Sequence, residues 1–237
     1  MQTGDPRQAA IFTAALNLNE KDPVVRKAAL SGLSALDGAD ATRTLIDETR
    51  RSDNTALRLV AVRALGDRRS PTATSQLEVL TQDKNDSVAA TALRVLARSS
   101  PSRAAGAATL AMQSSDPHTR RRALGIALLL PRDVGQSILA SAARDSDGAT
   151  LQEAISQLST MGGPESERAL VDLLNRANAP DDAKHAAARA LSEMGGSIAT
   201  ANESLIERFK ERAAADELSE GSSASGLRGE GGPDEGE

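Results

Sequence analysis

The chain has 237 residues, a net charge of −5 and no cysteine, which excludes disulfides, thiolate catalysis and cysteine-ligated metal sites. Tryptophan and tyrosine are also absent, so a binding pocket with aromatic walls is disfavoured. The longest apolar run is far shorter than the roughly 20 residues that a membrane-spanning helix needs.

The first predicted element is a single helix from Pro6 to about Asn19, with no partner helix before it. It places residues 1–21 in an extra N-terminal segment, which is either a capping helix or one half of a shortened repeat. The opening residues show neither a basic nor an apolar signal region, although a leader or anchor that had been removed would leave the same start.

Residues 22–215 are predicted to form about six two-helix units, because one pattern recurs every 31 to 33 residues. Each first helix begins at an Asp, Asn or Pro turn signal, such as Asp22-Pro23, whose side chain caps free backbone N–H groups. Two apolar columns, four residues apart, mark the face that each unit buries against its neighbours. They are Ala29, Ala61, Ala92, Ala123, Ala154 and Ala187, and then Leu33, Leu65, Leu96, Ala127, Leu158 and Leu191.

Each second helix follows after a short turn, with predicted starts at Asp40, Pro71, Pro101, Pro131, Pro164 and Ser197. Glycines at the ends of first helices, including Gly66, Gly162 and Gly195, are predicted to adopt the left-handed conformation that ends helices.

The last segment, residues 216–237, is predicted to be a disordered acidic tail. It is rich in glycine and serine, and it contains seven acidic residues and one basic residue, Arg228. The tail carries the negative charge, so the rest of the chain is almost neutral.

The first helices resemble the short HEAT-like repeat that also occurs in phycobilisome lyase subunits. Segments 22–33 and 54–65 show the resemblance best, with an Asp or Asn turn, an arginine, an alanine, and a leucine four residues after that alanine. The resemblance covers about residues 22–209. It implies an all-α, right-handed α–α superhelix of the HEAT-like or armadillo type.

In such a solenoid the second helices line the inner, concave wall, so the resemblance also implies where a partner would lie. The polar residues predicted on this wall are charged at both ends and small in the middle, which favours a bound peptide or helix anchored at its ends. The candidate partner-binding residues are Arg43, Asp47, Glu48, Gln76, Glu167, Arg168 and Asp172.

Basic residues form a column inside the first helices, at Arg26, Arg58, Arg120 and Lys184. Because this column follows the repeat, we interpret it as stacking contacts to the loops between units rather than as a ligand stripe. Consecutive arginines at 50–51, 68–69 and 120–122 keep nucleic acid open as an alternative partner. The near-neutral body and the lack of aromatic side chains for base stacking argue against it.

These features predict a non-catalytic scaffold or adaptor that binds another protein or a peptide, without a cofactor. No phosphate-binding, zinc-protease or nucleophile-elbow motif occurs, and two distant histidines, His118 and His185, do not supply the converging ligands of a metal site. The resemblance implies a first alternative, an accessory protein for bilin attachment, and nucleic-acid binding is the second.

A chain without cysteine fits a reducing compartment, which predicts a cytoplasmic location.

Overall fold

The computed structural model describes residues 6–17, 22–51, 53–68 and 70–226, and within these residues the chain is helical and has no strand. A short 3₁₀ helix at Ala127–Leu129 separates two of the α-helices. The α-helices in chain order are α1 Pro6–Asn17, α2 Pro23–Ser34, α3 Ala39–Arg51, α4 Thr55–Gly66, α5 Pro71–Leu80, α6 Asp86–Ser99, α7 Pro101–Met112, α8 Pro117–Leu124, α9 Arg132–Ala142, α10 Gly148–Met161, α11 Pro164–Asn175, α12 Asp181–Met194, α13 Ser197–Ala201 and α14 Glu203–Gly226.

The helices alternate between first helices with even numbers, α2 to α12, and second helices with odd numbers, α3 to α11. A first helix packs against the second helices beside it and against the neighbouring first helices: α4 contacts α2, α3, α5 and α6, and α12 contacts α10 and α11. This arrangement confirms the predicted all-α solenoid class. The chain divides into two compact units, Met1–Ile138 and Leu139–Glu237, which are described separately below.

The apolar columns form the core, as predicted. Every alanine of the first column is at most 4% exposed, and every member of the second column is fully buried. An alanine at this position lets neighbouring helices approach closely, and the leucine one turn later fills the space between them.

Five of the six predicted turn signals begin a first helix because their side chains accept hydrogen bonds from otherwise unpaired N–H groups, whereas α12 follows Pro180 without a side-chain cap. Asp22 accepts one from Val24 N at 2.8 Å, and Asn85 accepts one from Ser87 N at 3.1 Å. Such caps stabilise a helix by about 1 kcal/mol. They fix where each unit begins along the chain.

Glycine ends the helix at two of the three predicted positions. Gly162 and Gly195 follow α10 and α12 with φ of 64° and 60°, a region in which an L side chain is strained. The prediction is wrong for Gly66, which is the last helical residue of α4. A Cβ atom at Gly66 would collide with Val95 of α6, so this glycine provides room for two first helices to approach.

The C-terminal region differs from the prediction in two respects. The last second helix is divided into α13 and α14 at Asn202, whose side chain donates to the carbonyl of Ile198 at 2.8 Å and whose own carbonyl accepts from Leu205 and Ile206. Helix α14 then runs to Gly226, so residues 216–226 of the predicted disordered tail are helical. Once a helix is nucleated, adding residues to it costs little, which allows this extension.

Parts of two predicted segments lie outside the described residues. They are residues 227–237 of the predicted tail and residues 1–5 and 18–21 of the predicted N-terminal segment.

Candidate partner-binding surface on the second helices

In the unit Met1–Ile138, helices α3, α5 and α7 have equivalent outward-facing positions. Three positions on or just after each helix are spaced i, i+4 and i+7, and they recur from helix to helix at steps of 31 or 32 residues. Gln82 and Gln113 follow the last residues of α5 and α7. All are exposed except Asp47, which is half-buried. We call this set the second-helix strip: Arg43, Asp47 and Arg50; Ser75, Val79 and Gln82; Gly106, Leu110 and Gln113.

Two large apolar side chains occupy the same position of the strip on neighbouring helices. Val79 on α5 is 65% exposed and Leu110 on α7 is 56% exposed. A cavity of about 390 Å³ borders Leu110 and is also lined by Gln82 and Arg122. Exposed apolar groups that lie close together beside a cavity are typical of binding surfaces.

Sequence analysis did not single out Val79 or Leu110, although helical periodicity could have done so. The buried positions of α5 are Ala73, Leu77 and Leu80, and those of α7 are Ala104 and Ala108. Val79 and Leu110 each lie two residues after a buried position, on the opposite side of the helix.

Two of the predicted site residues belong to this strip. Arg43 is strongly exposed and pairs with Asp40 at 3.4 Å within the same helix. Exposed pairs of this kind contribute little, so the guanidinium remains available for a partner. Asp47 lies one turn further along α3, at the position equivalent to Val79. The charged end of the strip is therefore on α3, and its uncharged part is on α5 and α7.

Two other predicted residues are buried and are not available to a partner. Glu48 accepts a hydrogen bond from Arg26 at 2.7 Å, which joins α3 to the preceding first helix. Gln76 accepts one from Arg50 at 2.6 Å, which joins α5 to α3. A buried polar side chain is retained when such partners satisfy it. We therefore remove both residues from the candidate site.

Glu167 in the unit Leu139–Glu237 is also buried and also leaves the candidate site. Its carboxylate accepts hydrogen bonds from the backbone N–H groups of Ile198 and Ala199, at 3.0 and 2.9 Å. These are first-turn N–H groups of α13, so Glu167 caps a helix that lies some thirty residues further along the chain.

Arg168 and Asp172, the remaining predicted residues, are exposed on α11. Both line a cavity of about 240 Å³ in the unit Leu139–Glu237, together with Arg144. Asp172 lies 3.7 Å from Arg144, and Arg168 lies 3.4 Å from Glu165. These exposed ion pairs leave the charged groups open to a ligand, and apolar residues such as Ala140, Ala143 and Leu173 line the same cavity.

The basic column of the first helices makes internal contacts, in agreement with its interpretation from the sequence. Arg58 forms an ion pair with Asp83 and donates to the carbonyl of Thr49. Arg120 donates to the loop carbonyls of Ser114 and Ser115 at 2.9 and 3.0 Å. Arg26 binds Glu48, and Lys184 reaches the carbonyl of Ala177 at 3.4 Å.

The carboxyl group of Asp116 has a pKa below its usual value. The hydroxyl of Thr119 is the main cause, and the backbone N–H groups of His118 and Thr119 add to it by donating to the ionised form. This carboxylate therefore stays ionised at neutral pH and acts as the N-cap of α8.

The surroundings of His118 disfavour a metal ion. His118 is within 3.1 Å of Arg121 through its Nδ1 atom, a cationic neighbour that disfavours a metal ion. Across the part of the chain that the structure describes, no group of three His, Asp or Glu side chains could hold a metal ion. In the same residues no helix has both the length and the apolar character to cross a bilayer.

The family model for HEAT repeats matches residues 42–129, which span α3 to α8. These residues are therefore similar to HEAT repeats. The match contains the whole strip on α5 and α7 and all but the first turn of α3, so the exposed apolar pair lies within the matched segment. No curated protein sequence matches the chain significantly.

Several solved structures resemble the chain at low identity. The complex of CpcE and CpcF of phycocyanin lyase from Nostoc sp. PCC7120 is 17% identical over 85% of this chain and 94% of that chain, with a TM-score of 0.44. Human deoxyhypusine hydroxylase in complex with glycerol is 17% identical over 90% of this chain and 85% of that chain, with a TM-score of 0.39. An engineered protein is 18% identical over 79% of this chain and 96% of that chain, with a TM-score of 0.41. Likeness at this level says nothing about function.

Proposed function

We propose that this chain is a non-catalytic scaffold that binds a peptide or helix of another protein along the second-helix strip. The observation that carries the proposal is the exposed apolar pair, Val79 and Leu110, at one position of two neighbouring second helices. An apolar side chain of the partner would enter the cavity beside Leu110, and Arg43 and Asp47 would fix the partner's direction through charge.

The apolar pair is expected to supply most of the affinity. Burying a valine or leucine side chain contributes about 1.5–3 kcal/mol, and 1.4 kcal/mol corresponds to a factor of ten in Kd. The exposed polar residues of the strip contribute mainly orientation. In the unit Leu139–Glu237, Arg168 and Asp172 offer a separate polar contact.

The test compares two double variants that each remove two exposed apolar side chains. Val79→Ser with Leu110→Ser changes the strip, whereas Ile11→Ser with Val24→Ser changes equally exposed residues of α1 and α2. Proteins that the immobilised chain captures from its native lysate are identified by mass spectrometry, and the most abundant is purified for Kd measurement. We expect the strip variant to weaken binding by about tenfold or more and the control to leave Kd unchanged.

Equal Kd values for the strip variant and the native chain would contradict the proposal. Alanine substitutions at Arg43, Asp47, Arg168 and Asp172 test the polar contacts in the same assay. Co-expression with a bilin pathway, followed by a visible absorption spectrum, tests the accessory role in bilin attachment, and a bilin spectrum on the purified chain would replace the scaffold proposal.

A further inference from the structure

The first helices of the unit Met1–Ile138 are strongly basic although the chain has a net negative charge. Helices α4, α6 and α8 together contain seven arginines and a single acid, Asp86. In the other unit, α10 contains Glu153 and no basic residue, and α12 has three acids against two basic residues. Positive charge is therefore concentrated in the first helices of the unit Met1–Ile138, which the net charge of the chain conceals.

Internal contacts account for only part of this positive charge. Arg58 and Arg120 bind the loops between repeats, and Arg122 pairs with Asp86 at 3.1 Å. By contrast, Arg63, Arg94 and Arg98 are exposed, and none of the three has a hydrogen bond or ion pair with any described residue.

The repeat brings these three guanidinium groups onto one surface. Arg63 and Arg94 each lie two residues after an alanine of the buried column, so they occupy the same outward position of α4 and α6. Arg98 lies one turn further along α6. Because α4 packs directly against α6, their axes are about 8–10 Å apart, and residues i and i+4 on one helix are about 6 Å apart. We call Arg63, Arg94 and Arg98 the first-helix arginine cluster.

A shallow groove adjoins the cluster where α6 packs against α8. The groove has a volume of about 480 Å³, and its lining residues are Asp86, Ser87, Ala90 and Arg94 of α6, His118, Arg121 and Arg122 of α8, and Gly125 and Ile126 after it. Asp86 is paired with Arg122, and Arg94 and Arg121 add two further cations, so the lining is net positive. An extended chain with carboxylate side chains fits this arrangement, because an arginine fork binds a carboxylate through two parallel hydrogen bonds.

Nucleic acid fits the same surface less well. Proteins that grip a duplex through its backbone make about 6–10 phosphate contacts, more than the cations available here. Single strands are held by stacking on large aromatic rings, and Phe12 is the only Phe, Tyr or Trp in positions 1–138. The ring of Phe12 is half-buried and packed against Gly32.

We propose that the first-helix arginine cluster and the groove between α6 and α8 bind an acidic peptide segment of a partner protein. The site is on the first helices and is separate from the second-helix strip, so it does not rest on the function proposed above.

The test measures fluorescence anisotropy of a labelled oligoglutamate peptide against the full chain at low salt. Two triple variants with the same change in net charge are compared. The first is Arg63→Glu, Arg94→Glu and Arg98→Glu. The second is Arg132→Glu, Arg189→Glu and Arg212→Glu, at exposed arginines outside both proposed surfaces. We expect the first triple to weaken peptide binding by about tenfold or more and the second to change it by about twofold or less.

Circular dichroism monitors the folding of each variant. If the reversed charges disturb folding, the triple Arg63→Gln, Arg94→Gln and Arg98→Gln replaces the first triple in the same test. The strip variant with serine at Val79 and Leu110 should bind the peptide normally, which separates this proposal from the previous one. Absence of saturable binding, equal losses in both triples, or tighter binding of a duplex DNA than of the peptide would each overturn the proposal.

Discussion

Arg68 is buried, although in the sequence it belongs to one of the arginine clusters that kept nucleic acid open as a partner. It is 7% exposed and donates to the backbone carbonyls of Leu33 and Leu36. Burial lowers the pKa of its guanidinium group, and the nearby carboxylates of Asp37 and Asp67 partly oppose this effect. Its role is to satisfy carbonyl groups at the end of α2.

Arg68→Met should destabilise the chain, because methionine fills the space but removes the guanidinium group that donates to those carbonyls. We expect a loss of about 2 kcal/mol in the free energy of unfolding, measured by urea titration. Arg63→Met is the matched control, since Arg63 is exposed and has no partner among the described residues, and it should change stability by no more than about 0.5 kcal/mol. An equal effect of the two substitutions would show that Arg68 does not support the end of α2.

Glycine occurs at two helical positions where helix propensity alone would disfavour it, and helix packing explains only one of them. Gly66 ends α4 and faces Val95 of α6 so closely that no Cβ atom fits. Gly106 lies inside α7, exposed, with open space around it. The same residue type is thus required by packing in one helix and not required by packing in the other.

Gly66→Ala and Gly106→Ala should therefore have opposite effects. At Gly106 alanine should raise the free energy of unfolding by about 0.5–1 kcal/mol through its better helix propensity. At Gly66 the collision with Val95 should lower it by about 1–3 kcal/mol, and Val95→Ala in the same chain should recover part of the loss. Thermal unfolding of the three variants checks this, and stabilisation by Gly66→Ala would contradict the close approach of α4 and α6.

The molecule as a whole is held together by contacts between neighbouring helices, as in other repeat arrays. Helix α10 contacts α11 and α12, and α2 contacts α1, α3 and α4. Leu158 on α10 and Leu33 on α2 occupy the same position of the repeat, and both are fully buried. A defect at either leucine should therefore be felt first in the adjacent helices.

Leu158→Ala should raise amide hydrogen exchange most in α10, α11 and α12, and Leu33→Ala should raise it most in α1 to α4. Each substitution removes buried methyl groups and leaves a cavity, at a cost of about 2–5 kcal/mol. Hydrogen exchange followed by mass spectrometry locates the change. A uniform increase over the whole chain in both variants would show that the repeats unfold as one cooperative block.

The repeat register was predictable because it depends on residues that meet the same surroundings in every unit. Each alanine of the first column needs close helix contact, and each leucine of the second fills the gap beside it, so a periodic core leaves a periodic pattern. The N-terminal caps were predictable for a related reason, since a cap involves only residues two or three apart. The predicted left-handed conformation of Gly66 was wrong because the residue that explains this glycine, Val95, belongs to the next unit.

The polar residues of the candidate site could not be sorted from the sequence, because their partners lie on other helices. Glu48, Gln76 and Glu167 appeared to be wall residues until Arg26, Arg50 and the start of α13 were found beside them. Arg63 and Arg68 are only five residues apart, yet one is exposed and the other is buried. Periodicity encodes the core of each repeat, whereas the surface that remains free for a partner depends on contacts between residues that are distant in the chain.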